Sequence, residues 1–306
     1  MTQSPRLTLT ATLMLLALAA VWGGSFFFAE VALEEVPPLT VTFHRVSWAC
    51  PILLAIVLVL RIPLPRDPRI WFAFLVMGAL NNSIPFSLIF WGQTQIESGL
   101  ASILNGTTAL FGAVVAGVLL KDEPLTLNKL IGAGLGLLGV AVIIGPKALT
   151  ELSPTNLGQG AVVLAALSYA FASVWAKTQL STQPPLVNAF GMVAGSSLLM
   201  LPIVLIVDGP PTYALSTATT ATLFGLAALS TVLAYVLYFA ILPRAGAANL
   251  MLVTLLIPPF AILLGAAFLD ERLTPTAWAG FACIAVGLCV TDGRLPALSA
   301  SRLKRS

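Results

Sequence analysis

The sequence AVVAGVLLKDEPLTLNKLIGAGLGLLGVAV at residues 113–142 returns in altered form as AILLGAAFLDERLTPTAWAGFACIAVGLCV at residues 261–290. The two stretches align at an offset of 148 residues, which pairs Gly132 with Gly280. Each copy is an apolar run, a short acidic turn that ends in Thr, and a second apolar run. A Thr side chain caps a following helix by accepting hydrogen bonds from its first N–H groups. The pattern therefore predicts a duplicated unit of two helices joined by a tight turn.

The composition places these helices in a membrane. Hydrophobic residues make up 58% of the 306 residues, charged residues make up 9%, and the mean hydropathy is +0.98. A water-soluble domain of this size needs a larger polar surface. The net charge is +3, and the basic residues are scattered between apolar runs, which argues against nucleic acid as a partner. We predict an integral membrane protein whose surroundings are the lipid bilayer.

The sequence lacks the patterns of a metal site or an enzyme. Cys50, Cys283 and Cys289 lie inside apolar runs without metal-ligand spacing, and we interpret them as small core residues. The glycine-rich segment 132–136 has no preceding strand, so it does not fit a phosphate-binding loop. Small residues four apart, as in that segment, fit close helix packing instead. We predict no cofactor, no metal and no enzymatic activity.

Ten apolar runs approach the length of about 20 residues that a membrane span requires. Their approximate extents are 8–29, 39–60, 70–91, 98–120, 127–145, 157–177, 186–207, 217–241, 247–268 and 275–292. The first run also resembles the core of a secretory signal peptide. A membrane span is favoured, because the Pro-Pro-Leu sequence that follows it at 37–39 is echoed at 184–186.

The duplication divides the chain into two sets of five helices. Because five is odd, the two halves enter the membrane from opposite sides and form inverted repeats. The predicted fold class is an all-α membrane protein with ten transmembrane helices, arranged as two inverted five-helix repeats around a central cavity. The predicted boundaries are a first repeat at 1–146, a linker at 147–156, a second repeat at 157–294 and a basic tail at 295–306.

Basic residues in the connections indicate the orientation. With a cytoplasmic N-terminus, 12 of the 15 Lys and Arg residues fall on the cytoplasmic side, and Arg45, Lys147 and Arg272 fall toward the outside. Short cytoplasmic loops carry an excess of Lys and Arg. We therefore predict two cytoplasmic termini and a location in the cytoplasmic (inner) membrane of a bacterium.

Three motifs resemble those of a known family. Residues 22–25 read Trp-Gly-Gly-Ser, residues 44–45 read His-Arg, and an acidic turn of the form (D)E-x-L-T follows the fourth and ninth helices. With two five-helix halves, these motifs resemble the EamA-type transporters of the drug/metabolite transporter superfamily over nearly the whole length, and among them the YddG-type amino-acid exporters. The resemblance implies export or exchange of small metabolites, prominently amino acids, through a central cavity.

Polar residues at membrane depth are the first candidates for substrate binding, since their burial costs free energy unless they are paired or hydrated. Asn82 and Ser83 lie midway along the third helix and align with Ser230 and Thr231 of the eighth helix. Both repeats thus place polar groups at one level, where a midplane site would lie. Asn82 is preferred over the adjacent Asn81, because neighbouring residues of a helix do not both point inward. Hydrogen bonding between helices is the alternative. Further candidates in the fourth helix are Asn105, Thr107 and Thr108.

Aromatic side chains within the spans are further candidates for the cavity wall. Tyr235 and Tyr238 are three residues apart and share a helix face. Trp22 of the first helix corresponds to Tyr169 of the sixth if the offset is relaxed by one residue. The alternative for each is the aromatic belt at the membrane interface.

Two pairs of neighbouring residues have candidate roles in transport. His44 is the only histidine and the one side chain that normally titrates near neutral pH. Arg45 either extends to the membrane interface, contacts a substrate carboxylate, or pairs with Glu30 or Glu34. No Asp or Glu sits deep in any span. Pro258 and Pro259 interrupt the ninth helix and indicate a hinge or a cavity wall, with a kink used for packing as the alternative.

These observations favour a secondary transporter that exports a small-molecule substrate by alternating access, with amino acids, including aromatic ones, as the favoured substrate class. The alternatives are export of drug-like cations or of sugar- or nucleotide-type metabolites, and a membrane scaffold or sensor that transports nothing. Proton coupling, exchange and facilitated transport all stay open, as does the choice between a monomer and a homodimer.

Overall fold

The computed structural model of the protein describes residues 8–123, 125–144, 153–211, 213–250 and 253–291, and the regular structure within them is helical throughout. In chain order the helices are α1 (Leu9–Leu33), α2 (Pro38–Val59), α3 (Pro68–Gly78), the π-helix π1 (Ala79–Ser83), α4 (Ile84–Gln93), α5 (Ser98–Asn105), α6 (Thr108–Leu119), α7 (Leu127–Ile144), α8 (Pro154–Gln179), α9 (Pro185–Val207), α10 (Thr217–Phe224), the π-helix π2 (Gly225–Leu233), α11 (Ala234–Leu250), α12 (Val253–Phe268) and α13 (Pro275–Thr291). Most of the predicted linker and the whole predicted basic tail lie outside the described residues.

Eight of the helical segments are long and apolar enough to cross a membrane, judged by length and composition. Three of these are built from consecutive elements. The elements α3, π1 and α4 form one span over Pro68–Gln93, α5 and α6 form another over Ser98–Leu119, and α10, π2 and the start of α11 form a third over Thr217–Ile241. The last two apolar helices, α12 and α13, have only 16 and 17 residues. The ninth predicted run, 247–268, is shorter in the structure because its first residues belong to α11.

The helix starts follow from capping in both copies of the duplicated unit. Thr274 Oγ1 accepts a hydrogen bond from the Ala277 N–H at 3.2 Å, and Thr126 Oγ1 accepts one from the Lys129 N–H at 3.3 Å. Each Thr thereby satisfies an N–H group of the first helical turn that has no partner within the helix. The prediction of two helices joined by a Thr-capped turn is confirmed in both halves.

The paired glycines bring α7 and α13 together in an antiparallel contact. A Cβ atom on Gly132 would lie 2.5 Å from the Gly287 carbonyl oxygen, and one on Gly139 would lie 2.7 Å from the Gly280 carbonyl oxygen. The same clashes recur from the other side, at 2.6 Å for Gly287 and 2.7 Å for Gly280. The 148-residue offset pairs Gly132 with Gly280 and Gly139 with Gly287, so it converts each of the two contacts into the other. The two helices are therefore related by a local two-fold axis, as inverted repeats require.

Other contacts between the halves place α1 on α12 and α3 on α9. A Cβ atom on Gly23, in the Trp-Gly-Gly-Ser motif, would lie 2.7 Å from Phe260 Cβ and 2.9 Å from the Ile257 carbonyl oxygen. On the other side, Gly78 packs directly against the backbone of Met192 and Ser196. Glycine thus allows α1 to approach α12 beside its proline pair. Residues of α1, α3, α9 and α12 border a cavity inside the bundle, whereas those of α7 and α13 do not.

Candidate functional site

Two π-helices occupy equivalent positions in the two halves. At the 148-residue offset, Ala79–Ser83 corresponds to residues 227–231, which lie inside the π-helix Gly225–Leu233. In each, the hydrogen bonding skips one residue more than in an α-helix: the Ile84 N–H donates to the Ala79 carbonyl. Such wide turns are rare in proteins, and those that occur are often found at functional sites. The polar level that the sequence predicts in both repeats is therefore also the level at which both helices depart from α geometry.

A cavity of about 430 Å³, which we call the interior cavity, lies beside both π-helices. This volume lies in the range of pockets that bind small molecules. Its wall includes side chains from both halves of the chain, at residues as far apart as Trp22 and Ile257. The predicted site residues that the structure places in this wall are Trp22, Asn105, Thr108, Tyr169, Ser230, Tyr235 and Tyr238.

The other predicted site residues lie outside the cavity wall. Asn82 is fully buried and Ser83 bonds across to Ser196, with 2.8 Å between the two hydroxyl oxygens. Asn81 lines the cavity instead of Asn82, and its Nδ2 donates to the Tyr235 hydroxyl at 3.3 Å. The preference for Asn82 assumed α-helical spacing, and the π turn changes the direction of each side chain. Two further residues absent from the wall are Pro258 and Pro259, although Ile257 beside them contributes to it.

His44 packs in an aromatic cluster rather than in the cavity wall. It is fully buried, with ring centroids 5.1 Å from Trp48 and 5.4 Å from Tyr213. Within the described residues neither ring nitrogen has a hydrogen-bond partner. Consecutive residues of an α-helix point about 100° apart at 3.6 residues per turn. Of the pair at 44–45, only Arg45 therefore reaches the cavity.

Arg45 is buried and lines the interior cavity. Its Nε donates to the Thr231 hydroxyl at 3.1 Å, its Nη2 donates to the Ser230 carbonyl at 3.3 Å, and both acceptors belong to π2. Its guanidinium carbon lies 3.8 Å from the centroid of the Phe86 ring. The interpretation of Arg45 as an interfacial residue is wrong, because only 5% of it is exposed and these inward-facing partners hold it.

The charge of Arg45 has no acidic partner in the described part of the chain, where the ion pairs are those of Lys177 with Asp122 and Glu123. The expected pairing of Arg45 with Glu30 or Glu34 is therefore not present. An ionisable side chain inside a membrane protein is costly and indicates a functional site. A guanidinium has five N–H donors, so donors are left for an anionic ligand.

The counterpart of Arg45 in the second half is uncharged. The one-residue change of offset that aligns Pro38 with Pro185 also aligns Arg45 with Met192. Met192 lines the cavity, and its Sδ lies 3.5 Å from Nδ2 of Asn81 in π1. The second helix of each repeat thus contacts the π-helix of the other half. Only the helix of the first half, α2, brings a positive charge to this contact.

At one end of the bundle, acidic side chains surround a second cavity of about 430 Å³. We call this the acidic end, and its lining consists of Glu30, Glu34, residues 93–97 and residues 269–271. Burial and the neighbouring Glu271 carboxylate raise the pKa of Glu97 above its usual value. Glu271 itself caps α5, accepting from the Ser98 N–H at 2.7 Å and the Gly99 N–H at 3.1 Å.

Gln93 separates the acidic cavity from the interior cavity and lines both. It is 3% exposed, and its Nε2 donates to the Phe26 carbonyl and to Glu30 Oε2, each at 2.9 Å. Glu30 lies in the last turn of α1, in agreement with the expectation that no acid lies deep in a span. Its carboxylate nevertheless contacts the buried amide of Gln93. Sequence reasoning did not single out Gln93, because no motif or repeat position marks it.

The chain resembles known transporters in sequence. The EamA-like transporter family matches the chain twice, over residues 9–145 and 156–291. The chain is 27% identical over 289 residues to a protein of Escherichia coli (strain K12) named "Probable amino-acid metabolite efflux pump", covering 90% of this chain and 92% of that protein. It is 24% identical over 275 residues to "Uncharacterized transporter YoaV" of Bacillus subtilis (strain 168), covering 90% and 94%.

A solved crystal structure has the same fold. It matches with a TM-score of 0.62 over 96% of this chain and 99% of its own chain, at 20% sequence identity. At this identity the likeness concerns the fold alone. The family match confirms the resemblance drawn from the motifs.

Proposed function

Because the chain belongs to the EamA-like transporter family, we propose that this multi-pass membrane transporter exports amino acids, aromatic ones included, by alternating access. The buried guanidinium of Arg45 in the cavity wall supports this substrate most directly. Every α-amino acid carries a carboxylate, and arginine binds carboxylates through two parallel hydrogen bonds.

Aromatic residues around Arg45 suit the side chain of such a substrate. The rings of Trp22 and Tyr238 are in contact, with centroids 6.0 Å apart and a tilt of 46°, and both line the cavity. Tyr169 and Tyr235 add two further rings to the wall. Apolar and aromatic walls with a few placed polar groups are typical of small-molecule sites. The name of the E. coli relative, an amino-acid metabolite efflux pump, is consistent with this proposal.

The proposed architecture has ten spans in two inverted repeats, with α12 and α13 as the shorter ninth and tenth spans. In this arrangement the acidic end faces outward and both termini face the cytoplasm. The connection at the opposite end between α2 and α3 contains Arg61 and Arg66, as expected of a cytoplasmic loop. The interior cavity reaches Leu180 and Asn188 near that opposite end.

Alternating access requires one half to move against the other about the cavity. We propose that α12 bends at Pro258 and Pro259 during this motion, because proline removes helix hydrogen bonds that would resist bending. The close contact of Gly23 with the Ile257 carbonyl would transmit the bend to α1.

The alternative substrates and the scaffold role have less support. A positive side chain in the cavity wall repels drug-like cations. A scaffold that transports nothing has no need of an interior cavity with a buried charge.

Uptake into proteoliposomes tests the proposal. Purified protein is reconstituted, and uptake of a panel of labelled amino acids is measured with and without a pH gradient, against protein-free liposomes. Saturable uptake of phenylalanine and other amino acids is expected, and the effect of the gradient separates proton coupling from facilitation. A folded protein that takes up no amino acid would overturn the substrate assignment.

A further inference from the structure

Gln93 carries a buried hydrogen-bond acceptor that nothing in the described chain satisfies. Its two Nε2 hydrogens are both engaged, one by the Phe26 carbonyl and one by the Glu30 carboxylate. Turning the amide over would place its oxygen against these two acceptors, so the hydrogen-bond network determines which atom is Oε1. Gln93 lines both cavities, and both lone pairs of its amide oxygen are therefore unused among the described residues.

An unsatisfied buried acceptor next to a carboxylate is suited to a ligand with several N–H donors. Buried polar atoms in native proteins are nearly always paired. An unpaired acceptor on a residue of the cavity wall can therefore take a partner that the protein itself does not supply. A primary ammonium group has three donors and a positive charge. It can therefore bond to Gln93 Oε1 and Glu30 together.

We propose that Gln93 Oε1 and the Glu30 carboxylate form a recognition site for the primary ammonium group of the transported molecule, at the passage from the interior cavity to the acidic end. This inference rests on the proposed function. It requires that the transported molecule carry a positive ammonium group in addition to the carboxylate bound by Arg45. The transported molecule is then a zwitterion rather than a simple organic acid.

The spacing along α4 agrees with one zwitterion held between the two charges. Phe86, Phe90 and Gln93 are spaced four and three residues apart and share one helix face. The guanidinium carbon of Arg45 is 3.8 Å from the Phe86 centroid and 5.9 Å from the Phe90 centroid. Gln93 therefore follows the ring that stacks on Arg45 by about two turns along the same helix face, in the direction of the acidic cavity.

The charges beyond Gln93 favour a cationic group at this passage. Glu34, Glu97 and Asp270 line the acidic cavity together with Glu271, whose carboxylate also caps α5. A cleft lined by one sign of charge concentrates groups of the opposite sign. No set of three potential ligands in the described residues is arranged to hold a metal ion, which favours an organic cation.

The test compares L-phenylalanine with 3-phenylpropionate, which lacks only the ammonium group. Affinities are measured by calorimetry on the purified protein and by competition against labelled phenylalanine in proteoliposomes. The variants are Glu30→Gln, which keeps the size of the side chain, and Gln93→Met, which removes both amide atoms. Gln159→Met is the matched control, because Gln159 is also buried with an unsatisfied Oε1 in the described structure but lines neither cavity.

Wild-type protein is expected to prefer phenylalanine by at least about tenfold, since specificity for a charged group rests on the buried polar atoms that bind it. Glu30→Gln and Gln93→Met are expected to bring this ratio toward one, with 3-phenylpropionate still bound, whereas Gln159→Met keeps the wild-type ratio. Thermal melting shows whether each variant is folded.

Three results would overturn the inference. A wild-type protein that binds the two compounds equally has no ammonium site, although carboxylate transport would still stand. An unchanged ratio in folded Glu30→Gln, with loss only of the response to a pH gradient, would make Glu30 a proton carrier instead. Binding of neither compound by wild-type protein would overturn the proposed function together with this site.

Discussion

The guanidinium carbon of Arg45 lies 3.8 Å from the centre of the Phe86 ring, in the wall of the interior cavity. This stacking, together with the bonds to Ser230 and Thr231, holds a charge in place without a carboxylate partner among the described residues. A planar guanidinium can stack on an aromatic face and still offer edge donors to a ligand. The geometry thus combines a fixed position with free binding capacity.

Substitution of Arg45 is expected to abolish most substrate binding. Arg45→Gln removes the charge, and Arg45→Lys keeps the charge but loses the planar, two-pronged contact. A hydrogen bond to a charged group contributes about 1.5–3 kcal/mol, so the affinity for phenylalanine should fall roughly 10- to 100-fold. Calorimetry and uptake measure the effect.

The control for this prediction is Arg66→Gln, since Arg66 is exposed at the end opposite to the acidic end. It should bind phenylalanine like the wild type. Equal losses in Arg66→Gln and Arg45→Gln would contradict a specific role for the buried charge.

The glycine contact between α7 and α13 predicts a large difference between two similar substitutions. In Gly132→Ala the new Cβ would lie 2.5 Å from the Gly287 carbonyl oxygen, whereas in Gly134→Ala it meets nothing within 4 Å. Overpacking costs about 1–3 kcal/mol, while alanine in an open helical position gains about 0.5–1 kcal/mol over glycine. Thermal melting in detergent should show a lower Tm for Gly132→Ala and an unchanged or higher Tm for Gly134→Ala. Similar melting of the two variants would disprove the close contact.

The proline pair of α12 predicts that one substitution can slow transport without lowering thermal stability. Pro258→Ala restores a helix N–H group and should leave the Tm equal or higher, but slow the uptake of phenylalanine because the bend becomes harder. Pro202→Ala provides the control, since Pro202 is an exposed proline inside α9. Normal uptake rates in Pro258→Ala would exclude Pro258 from the hinge.

Glu35, in the connection after α1, predicts a loss of stability in acid. Hydrogen bonds from Thr219 and Ser216 lower the pKa of the Glu35 carboxyl below its usual value of 4.5. A group whose folded-state pKa is depressed stabilises the protein above its unfolded pKa, and this contribution disappears as the pH falls through the folded-state pKa. The Tm of the wild-type protein should therefore decline below about pH 4.5. The Tm of Glu35→Gln should decline less over the same pH range, because this variant lacks the carboxyl group that titrates.

Thr219→Val tests the same linkage from the donor side, because it removes the first of these hydrogen bonds. Its acid profile should resemble that of Glu35→Gln. Identical acid profiles in wild type and both variants would show that the Glu35 contacts do not contribute to stability.

The sequence by itself determined the membrane class, the duplication, the Thr-capped turns and the level of the polar residues. Each of these depends on local chemistry or on a repeated pattern, such as the Thr126 and Thr274 caps and the paired glycines of α7 and α13. Apolar periodicity and capping act over a few residues, so they can be read from the chain without knowledge of distant neighbours.

Only the tertiary structure decided which polar side chains meet the cavity. Asn81 replaces Asn82 because π1 departs from α-helical spacing, and His44 turns into an aromatic cluster while Arg45 turns inward. Gln93 finds its hydrogen-bond partners in Phe26 and Glu30, more than 60 residues away in the chain. Side-chain direction at a π turn and the partners of a buried charge depend on helices distant in sequence, and no local pattern specifies them.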